Sequence, residues 1–464
     1  MPGHLSYAVL GLFVPIALAL FAVLGARRAA LYVLLGGMLF LPEGVNFDAP
    51  LIPPLGKHEV AGLSTLLGCL LFSPALLRRA RPGRGLDVVL VVMLLAIIPT
   101  VFQNEERLNG LPFRQGMALR DFPAFAIRAA LLAWLPFVLG RALVRTPEDL
   151  ARLWRTLLAL ASVYSVLMLF EIRMSPNLHR WVYGYHARED FLQTMRWGGY
   201  RPTVFMEHGL AVGIFALIAC LFAATAGRLR RTRWGLPSWL WLGYLVAVFI
   251  LCKSTGAIAL GLVLIPAARL ARPRTQVRLA AVLAVACIAY PALKVTGAFP
   301  EQGLLDLARS ASSEDRAQSL AFRFDNDRIL LDHAREKIWF GWGGFGRNLV
   351  YTPQGEPASV TDGFWIIQLG SFGVVGLAAL LTILTGPIFI ALRRVRSIAD
   401  PAAALQVGAL AMAVAVYTFD LLPNGMFTNI PFFFAGALLG ACQALPRWAP
   451  AGEPAAGPGA TYAD

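Results

Sequence analysis

The stretch TDGFWIIQLGSFGVVG, residues 361–376, places the carboxylate of Asp362 where a long polar segment gives way to an apolar run. A carboxylate at such a boundary can act as a general base, because it can accept a proton from a hydroxyl group within hydrogen-bond reach. The alternative is structural, with Asp362 capping a helix that begins at Phe364. Asp362 is therefore a candidate catalytic residue, and the sequence leaves both interpretations open.

Other ionisable side chains also stand beside apolar runs. Glu207 and His208 enter one such run, and ionisable groups inside a membrane segment are usually functional. Lys253 precedes another run, where it could bind a phosphate or extend its amine to the membrane surface. His333, in LLDHARE, is either a second candidate base or a surface histidine. These four residues, with Asp362, are the first candidates for a site.

The composition identifies the elements that must position them. Of 464 residues, 57% are hydrophobic and 15% charged, and the mean hydropathy is +0.62. A soluble protein of this length needs a more polar surface, so the chain is predicted to be a membrane protein. Because no ten-residue alternating pattern recurs, the spans are predicted to be helices, which makes the fold class all-α and polytopic.

Bilayer spans need roughly 17 to 25 mostly apolar residues. Several candidates are short or interrupted by Gly or Pro, so the sequence predicts about twelve or thirteen spans. The thirteen candidates lie near 5–25, 29–43, 59–77, 86–102, 122–140, 150–170, 206–226, 236–252, 254–269, 278–294, 363–392, 402–420 and 428–446.

The basic residues predict the orientation. Arginines cluster in alternate short loops, and such loops usually face the cytoplasm. The formal net charge of +14 is therefore an orientation signal, and we expect no nucleic-acid partner. With thirteen spans, the N-terminus is predicted outside and the C-terminus inside. The basic loops lie near 27–28, 78–84, 141–155, 228–233, 269–278 and 393–396, followed by Arg447 in the tail.

The sequence predicts a single polytopic domain, 1–448, followed by a Pro/Gly/Ala-rich tail, 449–464, that is disordered and cytoplasmic. Two long loops, 173–205 and 296–361, fall on the same extracytoplasmic side, and loops of this size are usually functional or structured. In the second loop, Asp325, Asn326 or Asp327 is predicted to cap a short amphipathic helix that ends at the Gly-rich GWGGFG. That helix could instead lie on the membrane surface, anchored by Trp339 and Trp342.

The cysteines predict neither disulfides nor a metal site. All five lie in or at the ends of apolar segments, without paired spacing or neighbouring histidines.

Four motifs in order resemble those of the O-antigen ligase and Wzy-type polysaccharide polymerase superfamily. YRPTVFMEHGLAVG, residues 200–213, resembles the family's arginine-containing loop, and KSTGAIALGLVL, residues 253–264, resembles its SRG segment. An arginine, Arg323, stands eighteen residues before GWGGFG, and a polar residue, Asp362, stands eleven before the first Gly of a GxxG. The match covers roughly 200–376.

The resemblance implies an integral membrane glycosyltransferase of the bacterial inner membrane, with its active site facing the periplasm. Its donor would be a glycan on undecaprenyl diphosphate, and its reaction would be inverting and metal-independent, without a cofactor. Arg201 and Arg323 match the family's phosphate-contacting arginines, and Arg328 is a near alternative to Arg323. Arginine suits this role because its guanidinium engages phosphate oxygens bidentately.

The same resemblance leaves the reaction open in one respect. Ligases of the family carry a catalytic histidine where this chain has Asp362, so the aspartate favours a polymerase, whose acceptor is another lipid-linked glycan, over transfer to lipid A core. A chain-length regulator and a flippase are possible partners. A membrane transporter is a further alternative, but carriers usually contain an internal repeat, and the two halves of this chain are not similar.

Overall fold

The computed structural model describes residues 3–49, 52–80, 85–108, 112–187, 191–229, 237–311, 314–426 and 428–444. The predicted disordered tail lies outside the described residues. So do several arginines of the predicted cytoplasmic loops, namely Arg81, Arg84, Arg230, Arg231, Arg233 and Arg447.

The described residues are mostly helical and form nineteen α-helices. Those of the first half are α1 (His4–Leu24), α2 (Ala26–Phe40), α3 (Lys57–Phe72), α4 (Pro74–Arg78), α5 (Leu86–Leu95), α6 (Ile97–Phe102), α7 (Phe122–Ala129), α8 (Leu135–Leu143), α9 (Pro147–Met174) and α10 (Leu178–Tyr183). Those of the second half are α11 (Gly209–Arg228), α12 (Ser238–Leu251), α13 (Thr255–Leu270), α14 (Pro273–Thr296), α15 (Glu301–Ala311), α16 (Glu314–Arg335), α17 (Phe364–Arg394), α18 (Pro401–Asp420) and α19 (Ile430–Ala444).

Shorter elements join these helices. A π-helical turn, Ala130–Trp134, links α7 to α8, and 3-10 turns cover Leu119–Asp121, Phe191–Thr194 and Val395–Ser397. Two small antiparallel hairpins complete the described elements. Strand β1 (Phe47–Ala49) pairs with β2 (Ile52–Leu55), and β3 (Met195–Arg196) pairs with β4 (Gly199–Tyr200), with Arg196 opposite Gly199.

Within the described residues, seven helical segments are long and apolar enough to cross a membrane. They are His4–Leu24, Leu119–Leu143, Pro147–Met174, Gly209–Arg228, Pro273–Thr296, Phe364–Ser397 and Pro401–Asp420. Each of the thirteen apolar segments found in the sequence overlaps at least one helix. The chain is therefore a mostly helical protein with the composition of a membrane protein.

The most buried helices form the centre of the bundle. Helices α11 and α18 are almost wholly buried, and α19 packs against α8. In that pair the backbones approach so closely that a Cβ on Gly436 would overlap the carbonyl of Phe137, and one on Gly140 would overlap the carbonyl of Phe433. Small residues give this close approach, as they do in packed membrane helices generally.

The second long loop folds differently from its prediction. The prediction that Asp325, Asn326 or Asp327 caps a short helix is wrong, because α16 begins at Glu314 and these residues lie inside it. Asn326 instead joins the helix to the following chain, since its side-chain oxygen accepts a hydrogen bond from the Val360 N–H at 2.7 Å.

Helix α17 is broken by the GWGGFG segment. At Gly373 the backbone leaves the helical conformation, with φ of 66° and ψ of −169°. Four backbone hydrogen bonds join α17 to residues 338–343. The N–H groups of Trp342 and Gly343 donate to the carbonyls of Gly370 and Ser371 at 2.7 and 2.8 Å. The N–H groups of Val374 and Val375 donate to the carbonyls of Ile338 and Trp339 at 2.8 and 3.2 Å. The polar groups freed by the break are thereby satisfied within the protein, as irregular backbone among apolar helices requires. This docking fixes the long loop to the helix that begins beside Asp362.

Candidate functional site

The candidate site is a cavity of about 790 Å³ at one end of the bundle. The N-terminal ends of α11, α13 and α17 and the C-terminal end of α18 meet there. Its charged lining residues come from segments far apart in the chain, and they are Arg196, Arg201, Glu207, His208, Lys253, Arg323, Asp362 and Asp420. Six of the eight predicted site residues are therefore brought together.

Arg201 lies in the loop before α11 and is buried at the wall of the cavity. Its backbone N–H donates to the Thr194 carbonyl at 2.7 Å, and its Nη2 donates to the Lys253 carbonyl at 3.0 Å. Its Nε is buried and has no hydrogen-bond partner among the residues that the structure describes. Burial, with a smaller contribution from the neighbouring Arg196 cation, lowers the pKa of Arg201 to about 10, so the side chain remains charged near neutral pH.

Lys253 occupies the turn between α12 and α13. Its backbone is in the left-handed region, with φ of 53°, which is uncommon for a residue with a side chain. The Lys253 amine donates to the Arg196 carbonyl at 2.9 Å, which connects the turn to the β3–β4 hairpin. Because α13 begins two residues later, the cavity also receives the partial positive charge of a helix N-terminus.

Arg323 and Asp362 form an ion pair at the cavity wall. Arg323 Nε lies 3.5 Å from Asp362 Oδ2, and the two side chains are 41% and 33% exposed. Asp362 does not cap α17, because the N-cap residue is Gly363 and no side chain accepts a hydrogen bond there. The first N–H of the helix, from Phe364, donates instead to the carbonyls of Leu421 and Asn424 at 2.9 and 3.1 Å. The capping interpretation of Asp362 is therefore wrong.

His208 is the N-cap of α11. Its Nδ1 accepts a hydrogen bond from the Leu210 N–H at 3.0 Å, so the ring proton lies on Nε2, which faces Gln193 Oε1 at 3.1 Å. With both ring nitrogens in hydrogen bonds, His208 suits a structural role better than that of a base. The adjacent Glu207 is half-buried, lines the cavity and keeps its carboxylate as a candidate base.

Asp420 was not among the predicted site residues, because its place in TFDLLPNG is typical of an acid that faces water at the end of a span. It ends α18 and lines the cavity, and its Oδ1 accepts a hydrogen bond from Asn424 Nδ2 at 2.6 Å. An acidic residue at the end of a long apolar helix, followed by LLPNG, was the available signal. Arg196 was also missed, since a lone arginine in a loop with other charged residues carries no distinguishing pattern.

His333 and Arg328 lie on α16 but do not line this cavity. His333 Nε2 is 2.8 Å from the Arg347 carbonyl, and the ring stacks on Trp342 at 4.3 Å between centroids. Trp342 is therefore buried in the loop and is not a membrane-surface anchor. Arg328 pairs with Asp325 at 2.5 Å on the exposed face of the helix and lines a separate cavity of about 530 Å³.

The arrangement suits an anion with several oxygen atoms. Four cationic side chains and two helix N-termini, those of α11 and α13, face one cavity, and guanidinium groups and helix N-termini both favour phosphate. Three carboxylates, those of Glu207, Asp362 and Asp420, line the same space and could accept a proton. Among the described residues, no group of three or more His, Cys, Asp and Glu side chains is placed to hold a metal ion.

Comparison of the chain with protein-family models and with curated proteins finds no match.

Proposed function

We propose that this protein is a membrane glycosyltransferase that polymerises oligosaccharide repeat units carried on undecaprenyl diphosphate. The observation that carries the proposal is the convergence of Arg201, Lys253 and Arg323 with Asp362 in one cavity, because these residues come from the four motifs that resemble the polymerase and ligase superfamily. A sugar diphosphate lipid needs fixed cations around its leaving group and a base for the attacking hydroxyl, and both kinds of group line this cavity.

In the proposed reaction Asp362 accepts the proton of an acceptor sugar hydroxyl. The hydroxyl oxygen then forms a bond to the anomeric carbon of the donor from the face opposite the diphosphate, which inverts that carbon. The bond between the anomeric carbon and the diphosphate oxygen breaks, and the lipid diphosphate leaves with the electron pair. Cations stabilise the negative charge that develops on this oxygen.

In this proposal Arg201 and Arg323 hold the leaving diphosphate. The Arg323–Asp362 ion pair is made through Nε, and the guanidinium has further N–H donors that can bind phosphate while the ion pair persists. The unpartnered Nε of Arg201 is a further donor at the same wall. Lys253 adds a compact positive charge at the N-terminus of α13.

The charges at the helix ends support the proposal that the protein lies in the inner membrane with this cavity facing the periplasm. Helices α11, α13 and α17 start at the cavity, and their opposite ends carry Arg228, Arg269 and the pair Arg393 and Arg394. Basic ends usually face the cytoplasm. This orientation agrees with the thirteen-span arrangement proposed from the loop charges, with the N-terminus outside.

We favour a polymerase over an O-antigen ligase because Asp362 stands where the ligases of the resembled family carry histidine. A deletion strain separates the two. Loss of long-chain polysaccharide with accumulation of single repeat units supports the polymerase, whereas undecorated lipid A core beside intact polymer supports the ligase. Unchanged glycans would contradict both and leave the transporter as the better alternative. Polymer formation by purified protein given only a lipid-linked repeat unit would test the reaction directly, without a chain-length regulator or flippase.

A further inference from the structure

A second cavity, of about 280 Å³, runs beside the first half of α17. Its other walls are α5, α6, α7, the π-helical turn, the GWGGFG segment and the start of α19. The lining is mostly apolar and includes Met93, Phe125, Leu132, Phe364, Leu380 and Phe432. Phe364 and Leu380 are sixteen positions apart on α17 and lie on either side of the break at Gly373, so the groove extends along both segments of the helix. We call this elongated cavity the α17 groove. Its length and apolar lining suit a hydrocarbon chain.

One cation stands at the groove. Arg128 lies on α7, within the long apolar segment Leu119–Leu143, and lines the groove together with Gln368 and Ser371. Its side chain is exposed, interacts with the Glu59 carboxylate only through charge, and makes no hydrogen bond or ion pair with the part of the chain that the structure describes. An arginine in an apolar segment is costly unless it reaches the headgroup region or meets an anion. The groove thus combines an apolar channel with one cation available to a lipid phosphate.

A thin wall separates the α17 groove from the candidate active site. Ile367 lines the groove and Gly425 lines the active-site cavity, and a Cβ on Gly425 would lie 3.1 Å from Ile367 Cδ1. The two spaces are also close at the start of α17, because Phe364 lines the groove and Asp362, two residues earlier in the chain, lines the cavity. A lipid held in the groove would therefore have its headgroup beside the proposed base.

We propose that the α17 groove binds the isoprenoid chain of the acceptor, with Arg128 holding the acceptor's phosphate. This inference rests on the proposed polymerase function, in which both substrates are lipid-linked. The donor diphosphate is a leaving group and uses the cations of the active-site cavity, whereas the acceptor diphosphate stays intact and needs only an anchor. In an acceptor of one repeat unit, only a few sugars separate the lipid diphosphate from the attacking hydroxyl. Its lipid must therefore lie near the base.

The test counts bound lipids on purified protein in phosphatidylcholine nanodiscs, titrated with undecaprenyl diphosphate and measured by native mass spectrometry. The wild-type protein should bind two molecules. Arg128→Gln should weaken one site by roughly 10-fold, because it removes a charge-assisted hydrogen bond, and Ala129→Phe should block the groove from its half-buried position. Arg120→Gln is the matched control, an exposed arginine of the same segment outside the groove, and should still bind two.

Arg201→Gln should weaken the other site and leave the Arg128-dependent one, which separates the two proposals. One bound lipid that depends on Arg201 and ignores Arg128→Gln would overturn the groove proposal while the polymerase function stands. Displacement of the second lipid by an equal amount of phosphatidylglycerol would overturn it as well, since the groove would then be a phospholipid site. If the wild-type protein binds no undecaprenyl diphosphate, both proposals fail.

Discussion

Replacement of Asp362 by asparagine should abolish polymer formation while leaving the protein folded. The substitution keeps the size and polarity of the side chain and removes its ability to accept a proton. It also removes one member of the Arg323–Asp362 ion pair. These two losses differ enough in magnitude to be separated.

The structural cost of the substitution is small. The pair is joined at 3.5 Å by side chains that are 41% and 33% exposed, and ion pairs of this kind contribute at most about 1 kcal/mol. No helix cap is lost, because the N-cap of α17 is Gly363 and the Phe364 N–H is bonded to the carbonyls of Leu421 and Asn424. Loss of a general base, in contrast, typically slows a reaction by roughly 10² to 10⁴-fold.

The assay measures polymer length on a gel after a lipid-linked repeat unit is added to purified protein, with membrane abundance and thermal midpoint measured beside it. Asp332→Asn is the matched control, because Asp332 is an exposed acid of α16 paired with Arg335 at 2.8 Å and does not line the cavity. The control should polymerise at the wild-type rate. Asp362→Asn should reach the membrane at normal levels and make no long polymer.

A normal rate in Asp362→Asn would refute the assignment of the base. Glu207 and Asp420 would then be the remaining carboxylates of the cavity, and Glu207→Gln and Asp420→Asn would be compared in the same assay. A rate lost only in proportion to protein abundance would show that Asp362 acts through folding.

Three further predictions follow from the site and the fold. Arg201→Lys and Arg323→Lys keep the charge but lose bidentate geometry, so each should slow polymerisation roughly 10- to 100-fold; wild-type rates in both would remove these residues from the site. Gly373→Ala should destabilise the protein by about 2–5 kcal/mol, seen as a lower thermal midpoint, because φ is 66° and a Cβ would overlap the Trp339 backbone; an unchanged midpoint would show that the break tolerates a side chain. Topology reporters at the two termini should report opposite sides of the membrane, with the N-terminus outside, and a result on the same side would favour twelve spans.

The helices of this protein are largely predictable from the sequence. Each of the thirteen apolar segments overlaps a helix, because long apolar runs in a chain of this composition have to satisfy their backbone hydrogen bonds locally. The charged residues that precede such runs were equally visible, and six of the eight predicted site residues line one cavity. Position beside an apolar run was sufficient information for Glu207, His208, Lys253 and Asp362, whereas Arg201 and Arg323 were assigned by the resemblance to the family's arginines.

The partners of those residues depend on the tertiary structure. The sequence left Asp362 as either cap or base, and only the approach of α16 and of the end of α18 gives it Arg323 as a neighbour and supplies other acceptors for the Phe364 N–H. His333 resembled a candidate base by type and place, yet its ring packs on Trp342 away from the cavity. Asp420 lies at the C-terminal end of α18, and the fold brings that end to the cavity.

The break in α17 has the same origin. Gly373 is a point where another segment packs against the helix, and the N–H groups of Trp342 and Gly343 donate to the carbonyls of Gly370 and Ser371, which precede it. Local sequence determines which segments are helical, because helical hydrogen bonds join residues four apart. The cavity, the ion pair and the broken helix join residues that are far apart in the chain, so only the folded structure decides them.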